Sequence, residues 1–202
     1  MSNSRLERQL AFLIEADALK GVERQSSIAS GSRRENSAEH SWHLALFALV
    51  LGTERPDIDL SRVVAMLLIH DLVEIDAGDT PIHGTVDAHR QAQAEEAAAE
   101  RIFGLLPSDR RDGFIALWRE FEAGETRDAQ FAKALDRLQP LLLNTLTNGG
   151  TWTENGVCEE QVLARYGPTI RRASPEWWAY AASLVADHFG KAKDTRGRGS
   201  DG

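Results

Sequence analysis

The chain has 202 residues, 42% hydrophobic and 27% charged, with a net charge of −8, a balance that suits one soluble domain with a substantial core. The negative field disfavours a surface that grips duplex nucleic acid, which needs phosphate-neutralising Lys and Arg, but leaves room for a small phosphorylated substrate held by local cations. The lone Cys158 excludes an intrachain disulfide and fits a reducing compartment, no signal-peptide core or ~20-residue apolar span appears, and the expectation is a cytoplasmic protein with no membrane partner.

Leu6, Leu10, Leu13 and Ile14 recur at helical spacing, predicting a helix over 5–19 that ends near Gly21. Residues 21–36 break the period with Ser and Gly and read as a loop. Arg24, Arg33 and Arg34 make it locally basic. Asn36, followed three residues later by Glu39, is a capping-box signature. It opens a helix through Leu44, Phe47, Ala48 and Leu51 to Gly52, with His40 and His43 in its first turns. Asp59 or Ser61 caps the next helix, an apolar run that ends in His70-Asp71-Leu72-Val73-Glu74.

Residues 75–87, with Gly78, Pro81 and Gly84, read as a loop that carries Asp76, Asp79, His83 and Asp87. Helices are expected over 88–103, stopped by Gly104, and over 108–121. A third, over 127–147, puts Phe131, Leu135, Leu138 and Leu142 in the core with Asp136 beside that stripe. A fourth covers 154–165. Ser174-Pro175-Glu176 starts the last helix, which carries the adjacent Trp177 and Trp178. The tail from Lys191 reads as disordered. No segment alternates as a strand does. The fold expectation is all-α: a single bundle of about eight helices over 1–190, then a 191–202 tail.

Polar, metal-competent side chains at the end of an apolar helix are the pattern that needs explaining, because burying a charge is costly unless it is paired or coordinated. On a helix, His70 and Glu74 share a face and Asp71 is about 100° away. An imidazole nitrogen beside a carboxylate oxygen suits a divalent transition metal, and Glu74 is placed to act as general base. The plain alternative is a solvated helix end. His40 also reads as a capping-turn histidine, and Asp136 as a partner of Arg137 or Lys133. Together, His40, His70, Asp71 and Asp136 form a two-imidazole, two-carboxylate set from three helices.

That order, His40 … His70-Asp71 … Asp136, resembles the metal-binding signature of the HD-domain phosphohydrolase superfamily, which is all-α. Glu35-Asn36-Ser37-Ala38-Glu39-His40-Ser41, His70-Asp71-Leu72-Val73-Glu74, Gly78-Asp79-Thr80-Pro81 and Lys133-Ala134-Leu135-Asp136-Arg137-Leu138 are similar to the branch containing bacterial 5'-deoxynucleotidases. The resemblance covers roughly 5–150. It implies that His40, His70, Asp71 and Asp136 hold one divalent ion (manganese, cobalt, iron, nickel, zinc or magnesium). It further implies that Glu74 orients or deprotonates the attacking water and that Asp79 lies at the substrate pocket. An arginine of the preceding loop, Arg24, Arg33 or Arg34, would hold phosphate as a fork. The tryptophan that follows the loop arginine in that branch is not matched here, where Ser26 and Ser27 follow Gln25.

The implied reaction is metal-dependent hydrolysis of a (deoxy)nucleoside 5'-monophosphate, or a similar small phosphomonoester, to alcohol and phosphate. Two other readings stay open: a non-catalytic nucleotide sensor or interaction module, and a two-metal phosphodiesterase using further histidines. His43 is a possible fifth ligand or a packed group. Trp177 and Trp178 cannot both face one core stripe, and one of them at a subunit interface predicts a homodimer.

Overall fold

Helix starts follow the caps that the sequence places. In the computed structural model, which describes residues 4–84 and 87–197, α1 (Arg5–Ala16) begins at a Ser4/Glu7 capping box. α2 (Ser37–Leu51) repeats the device with Asn36 and Glu39. Asp59 caps α3 (Leu60–Ile69) through the Arg62 N–H. Each cap satisfies N–H groups that a helix start leaves without partners. The remaining helices are α4 (Glu74–Ala77), α5 (Ala88–Phe103), α6 (Ser108–Ala123), α7 (Arg127–Leu146), α8 (Gly150–Glu154), α9 (Glu159–Ala173) and α10 (Pro175–Gly197).

The all-α class holds, with ten α-helices among the described residues against the expected eight. The difference lies in α4 and α8, each about one turn long and too short for a periodic signal. The expected loop over 21–36 also contains a two-stranded sheet, β1 (Glu23–Ser27) beside β2 (Arg34–Asn36). Apolar alternation is silent there because the hairpin turns Arg24 and Glu35 inward, and Glu35 is buried. Gly31, at φ +69°, supplies the left-handed residue of its turn.

The chain divides into two compact units: Met1–Arg24 with Glu35–Ala132, and Gln25–Arg34 with Lys133–Gly202. The boundary between the units falls inside α7, and each unit has its own buried centre. In the first, Phe12, Leu19, Ile69, Leu72, Val73, Ile102, Phe103 and Trp118 form one apolar cluster. Phe12 meets Phe114 edge-on, with centroids 5.6 Å apart, an arrangement aromatic quadrupoles favour.

In the second unit, Val162, Tyr166, Ile170, Trp178, Ala181 and Val185 are buried where α9 packs on α10. A Cβ at Gly167 would stand 2.9 Å from the Trp178 ring, so close packing requires glycine there. The helix expected over 154–165 therefore sits later, at 159–173, running through Gly167 and Pro168. Asn144 anchors α8: its Oδ1 accepts the Thr151 N–H at 2.7 Å and hydroxyl at 2.9 Å. Trp178 is core and Trp177 half-buried, so the two rings do face different surroundings. α10 continues to Gly197 rather than ending at Lys191, and residues 198–202 of the expected tail lie outside the described residues.

Candidate metal centre

The end of α3 builds the centre. The backbone does not carry its α-helical register through His70. It tightens into a 3-10 turn over His70–Val73 and then enters α4. Successive side chains in such a turn are about 120° apart rather than 100°. His70 and Asp71 lie at the polar centre, while Leu72 and Val73 join the apolar cluster. The shared α-helical face expected for His70 and Glu74 is replaced by this sharper geometry.

His70 Nδ1 lies 2.8 Å from the Leu67 carbonyl oxygen. A carbonyl only accepts, so Nδ1 donates there and Nε2 is turned towards the Asp71 carboxylate. Nε2 stands 2.9 Å from Asp71 Oδ1. His40, wholly buried in the first turns of α2, has Nε2 4.0 Å from Asp71 Oδ2 and Nδ1 3.5 Å from Glu35 Oε2. One donor atom from each of His40, His70 and Asp71 lies within 4.8 Å of the others, and all three residues are buried. Two imidazoles and a carboxylate converging at that spacing fit a divalent ion, with further coordination positions left over.

Arg24 binds the surrounding charges together. Its Nη1 is 3.1 Å from Asp71 Oδ2, 3.5 Å from Asp79 Oδ1 and 3.8 Å from Glu74 Oε1. Its Nε is 3.8 Å from Glu35 Oε2. A guanidinium whose side chain is only 12% exposed is stable there because four carboxylates surround it. Burial pushes the Asp71 carboxyl up, but His70, Arg24 and His40 outweigh it and hold the group below its ordinary range. Glu74 goes the other way. Burial, then the Asp71 charge, with Asp79 adding to them, raises it to about 8 against the opposing pull of Arg24 and Ser37. Two carboxyls a few residues apart are thus driven in opposite directions, a division that suits one to bind a cation and the other to exchange a proton.

Of the expected site residues, His40, His70, Asp71, Glu74, Asp79 and Arg24 are brought together in the first unit. Asp136 belongs to the second unit, where its carboxylate is buried and Arg137 Nη1 lies 3.1 Å away. Arg34, also there, pairs with Glu154 at 2.8 Å and donates to the Gln25 carbonyl. The exposed Arg33 donates to the Arg34 carbonyl at 2.9 Å. His43 packs between Trp42, stacked at 5.8 Å, and Phe47, edge-on at 4.8 Å; it is absent from the three-residue ligand set found among the described residues.

Two residues escaped the sequence reading. Glu35 is 3% exposed and faces His40 and Arg24. Ser37 is fully buried and donates its hydroxyl to Glu74 Oε2 at 2.6 Å. Both flank the Asn36 cap, so their proximity to the His40 turn was the available signal, but only the folded structure shows that they are buried.

Comparison with known proteins adds a family match, two sequence relatives and one solved structure. The HD domain family profile matches residues 16–178. The human 5'-deoxynucleotidase HDDC2 is 31% identical over 134 residues, 66% of this chain and 65% of that protein. The bovine 5'-deoxynucleotidase HDDC2 is 30% identical over 143 residues, 70% of this chain and 69% of that protein. The chain thus spans just under two thirds of the human relative's length. Among solved structures, a predicted metal-dependent phosphohydrolase from Magnetospirillum magnetotacticum superposes with a TM-score of 0.89 at 48% identity, covering 94% of this chain and 95% of that one.

Proposed function

Because this chain belongs to the HD domain family, we propose that it is a metal-dependent phosphohydrolase acting on nucleoside or deoxynucleoside 5'-monophosphates. The observation that carries this reading is the buried His40–His70–Asp71 set with Glu74 and Arg24 beside it. The names of the human and bovine relatives support the substrate class.

His40 Nε2, His70 Nε2 and an Asp71 oxygen would hold the ion, with Asp136 as the fourth ligand that the family resemblance implies. A bound divalent cation would polarise the phosphoryl group and acidify a water. Glu74 would take that water's proton: a carboxyl whose pKa is raised is a better proton acceptor near neutral pH than an ordinary carboxylate. Arg24 would offset charge developing on the phosphoryl oxygens, as a buried fork can. Arg33 and Arg34, each engaged within the second unit, are not assigned this role. Asp79 would meet the sugar end of the substrate, and its Oδ1 lies 3.5 Å from Arg24 Nη1. Manganese and cobalt are the first choices, since a mixed imidazole–carboxylate set accepts either.

The test is phosphate release from a panel of nucleoside and deoxynucleoside monophosphates, using protein stripped by chelator and reloaded with manganese or cobalt. Metal-dependent release from at least one member supports the proposal. A panel that gives none while the metal binds tightly moves the function to another phosphate ester or to a nucleotide sensor.

The proposal includes a cytoplasmic homodimer. No helix among the described residues is long and apolar enough to cross a membrane. Trp42, Leu46, Leu49 and Val50 on α2 and Leu68 on α3 are each more than 40% exposed, an apolar face that monomers seldom leave open. No Asp, Glu, Lys or Arg occurs from Ser41 to Gly52, so two copies of a chain carrying −8 meet there without like-charge repulsion. Light scattering at micromolar concentration should give twice the chain mass, and Leu46→Glu should halve it. A monomeric wild type would remove the dimer.

A further inference from the structure

Glu74 has two oxygens, and the structure uses them differently. Oε2 accepts the Ser37 hydroxyl at 2.6 Å, while Oε1 lies 3.8 Å from Arg24 Nη1, the same nitrogen that is 3.1 Å from Asp71 Oδ2. Ser37 tethers Oε2, and Oε1 faces the Arg24 nitrogen that also meets Asp71. The tether is rigid. Ser37 is the first residue of α2, directly after the Asn36/Glu39 capping box, and its own N–H donates to the Val22 carbonyl at 3.0 Å. Its side chain is fully buried, so no water competes for the hydroxyl.

A carboxylate that shares an Arg24 nitrogen with the Asp71 carboxylate has two fates once an ion is bound. It joins the coordination shell, or it stays outside and handles protons. An untethered glutamate has the reach and the negative charge to collapse onto a divalent cation. We propose that Ser37 is a positioning residue that holds Glu74 outside the coordination shell by occupying Oε2, reserving Oε1 for the attacking water's proton. This rests on the proposed phosphohydrolase reading for the use of Glu74, but the position of Glu74 is measurable without turnover. When the reaction proceeds, the water O–H bond breaks, its proton passes to Oε1, and the oxygen's electron pair forms the new bond to phosphorus. The ester oxygen leaves with its bonding pair and takes up a proton. Because Ser37 donates to Oε2, the proton on Glu74 resides at Oε1, the oxygen from which it can be handed on.

The experiment compares wild type with Ser37→Ala and Ser37→Cys. Manganese-loaded protein is read by water-proton relaxivity, which counts exchangeable waters on the ion, and by phosphate release. In Ser37→Ala the freed Glu74 carboxylate displaces a water. Relaxivity should therefore fall by about the contribution of one water, and kcat by roughly tenfold to a hundredfold, in line with the loss of a group that orients an active-site residue. KM should stay within about twofold. Ser37→Cys, close to isosteric with a weak donor, should fall between the two. Ser37→Ala/Glu74→Ala should restore the relaxivity, since no carboxylate is left to collapse. Relaxivity in Ser37→Ala equal to wild type overturns the proposal even if kcat drops, because the hydroxyl would then be only a structural partner. If wild type releases no phosphate, the phosphohydrolase reading fails, and the relaxivity series still decides whether Ser37 keeps Glu74 off the metal. If Ser37→Ala does not fold, the Ser37→Cys relaxivity decides.

Discussion

Two buried clusters share one 3-10 turn and obey opposite physics. Leu72 and Val73 face Phe103 and Trp118 in the apolar cluster, where removal of surface from water supplies the stability. Asp71 meets His70 and Arg24, and Arg24 in turn reaches Glu74 and Asp79, where taking charges out of water costs stability unless each has a partner. The apolar cluster is the support, and the charged cluster is what it supports. The structure places both on the same four residues, so packing of Leu72 and Val73 positions His70 and Asp71.

Substitutions should separate the two. Asp71→Ala should lower metal-dependent phosphate release by roughly a thousandfold or more and abolish tight manganese binding by calorimetry, while circular dichroism stays helical. Phe103→Ala should do the reverse. Loss of a fully buried ring should lower unfolding free energy by about 3–5 kcal/mol, and at low temperature the folded fraction should bind manganese with affinity near wild type. A Phe103→Ala protein that is stable but metal-blind would break the comparison.

The pH response sharpens it. Glu74 is raised from an ordinary 4.5 to about 8, first by burial and then by Asp71. The metal-free native state therefore holds a proton that the unfolded chain has released, and stability must fall as pH rises through that interval. His43 and His188, both held below 6.5 by burial, contribute the opposite slope, but only beneath that value. The clean window is pH 6.5 to about 8. There, Tm measured in chelator should decline, and manganese should flatten the decline because a nearby cation favours ionised Glu74. A chelated protein with no decline in that window contradicts the assignment. The smallest effect is at the surface. Arg119→Ala removes ion pairs with Glu96 and Glu100, yet with both partners about half exposed it should change stability by less than about 1 kcal/mol in chemical denaturation.

What the amino-acid order disclosed follows the same division. Helices bounded by chemistry were legible: α5 lies between Asp87 and Gly104 as expected over 88–103, and α2 starts at the Asn36/Glu39 box. The buried grouping of His40, His70 and Asp71 was legible because polar groups interrupt apolar faces. The Arg24–Glu35 hairpin was not, because its inward residues are charged and periodicity methods look for apolar ones. Among the three loop arginines, only the fold distinguishes Arg24, since composition treats all three alike. The 3-10 turn at His70 was also hidden, because nothing in that apolar run signals the change from 3.6 to 3.0 residues per turn. α9 was misplaced because Gly167 and Pro168 look like breakers until Trp178 is seen to lie against Gly167.

The most direct test of the central claim is a titration of metal-stripped protein with manganese, following the initial rate of phosphate release from a responsive nucleoside monophosphate. The account predicts no release before addition, a rise that saturates at one ion per chain, and no rise in Asp71→Ala. Release that persists in chelator, or that needs two ions per chain, would contradict a single-ion phosphohydrolase built on His40, His70 and Asp71.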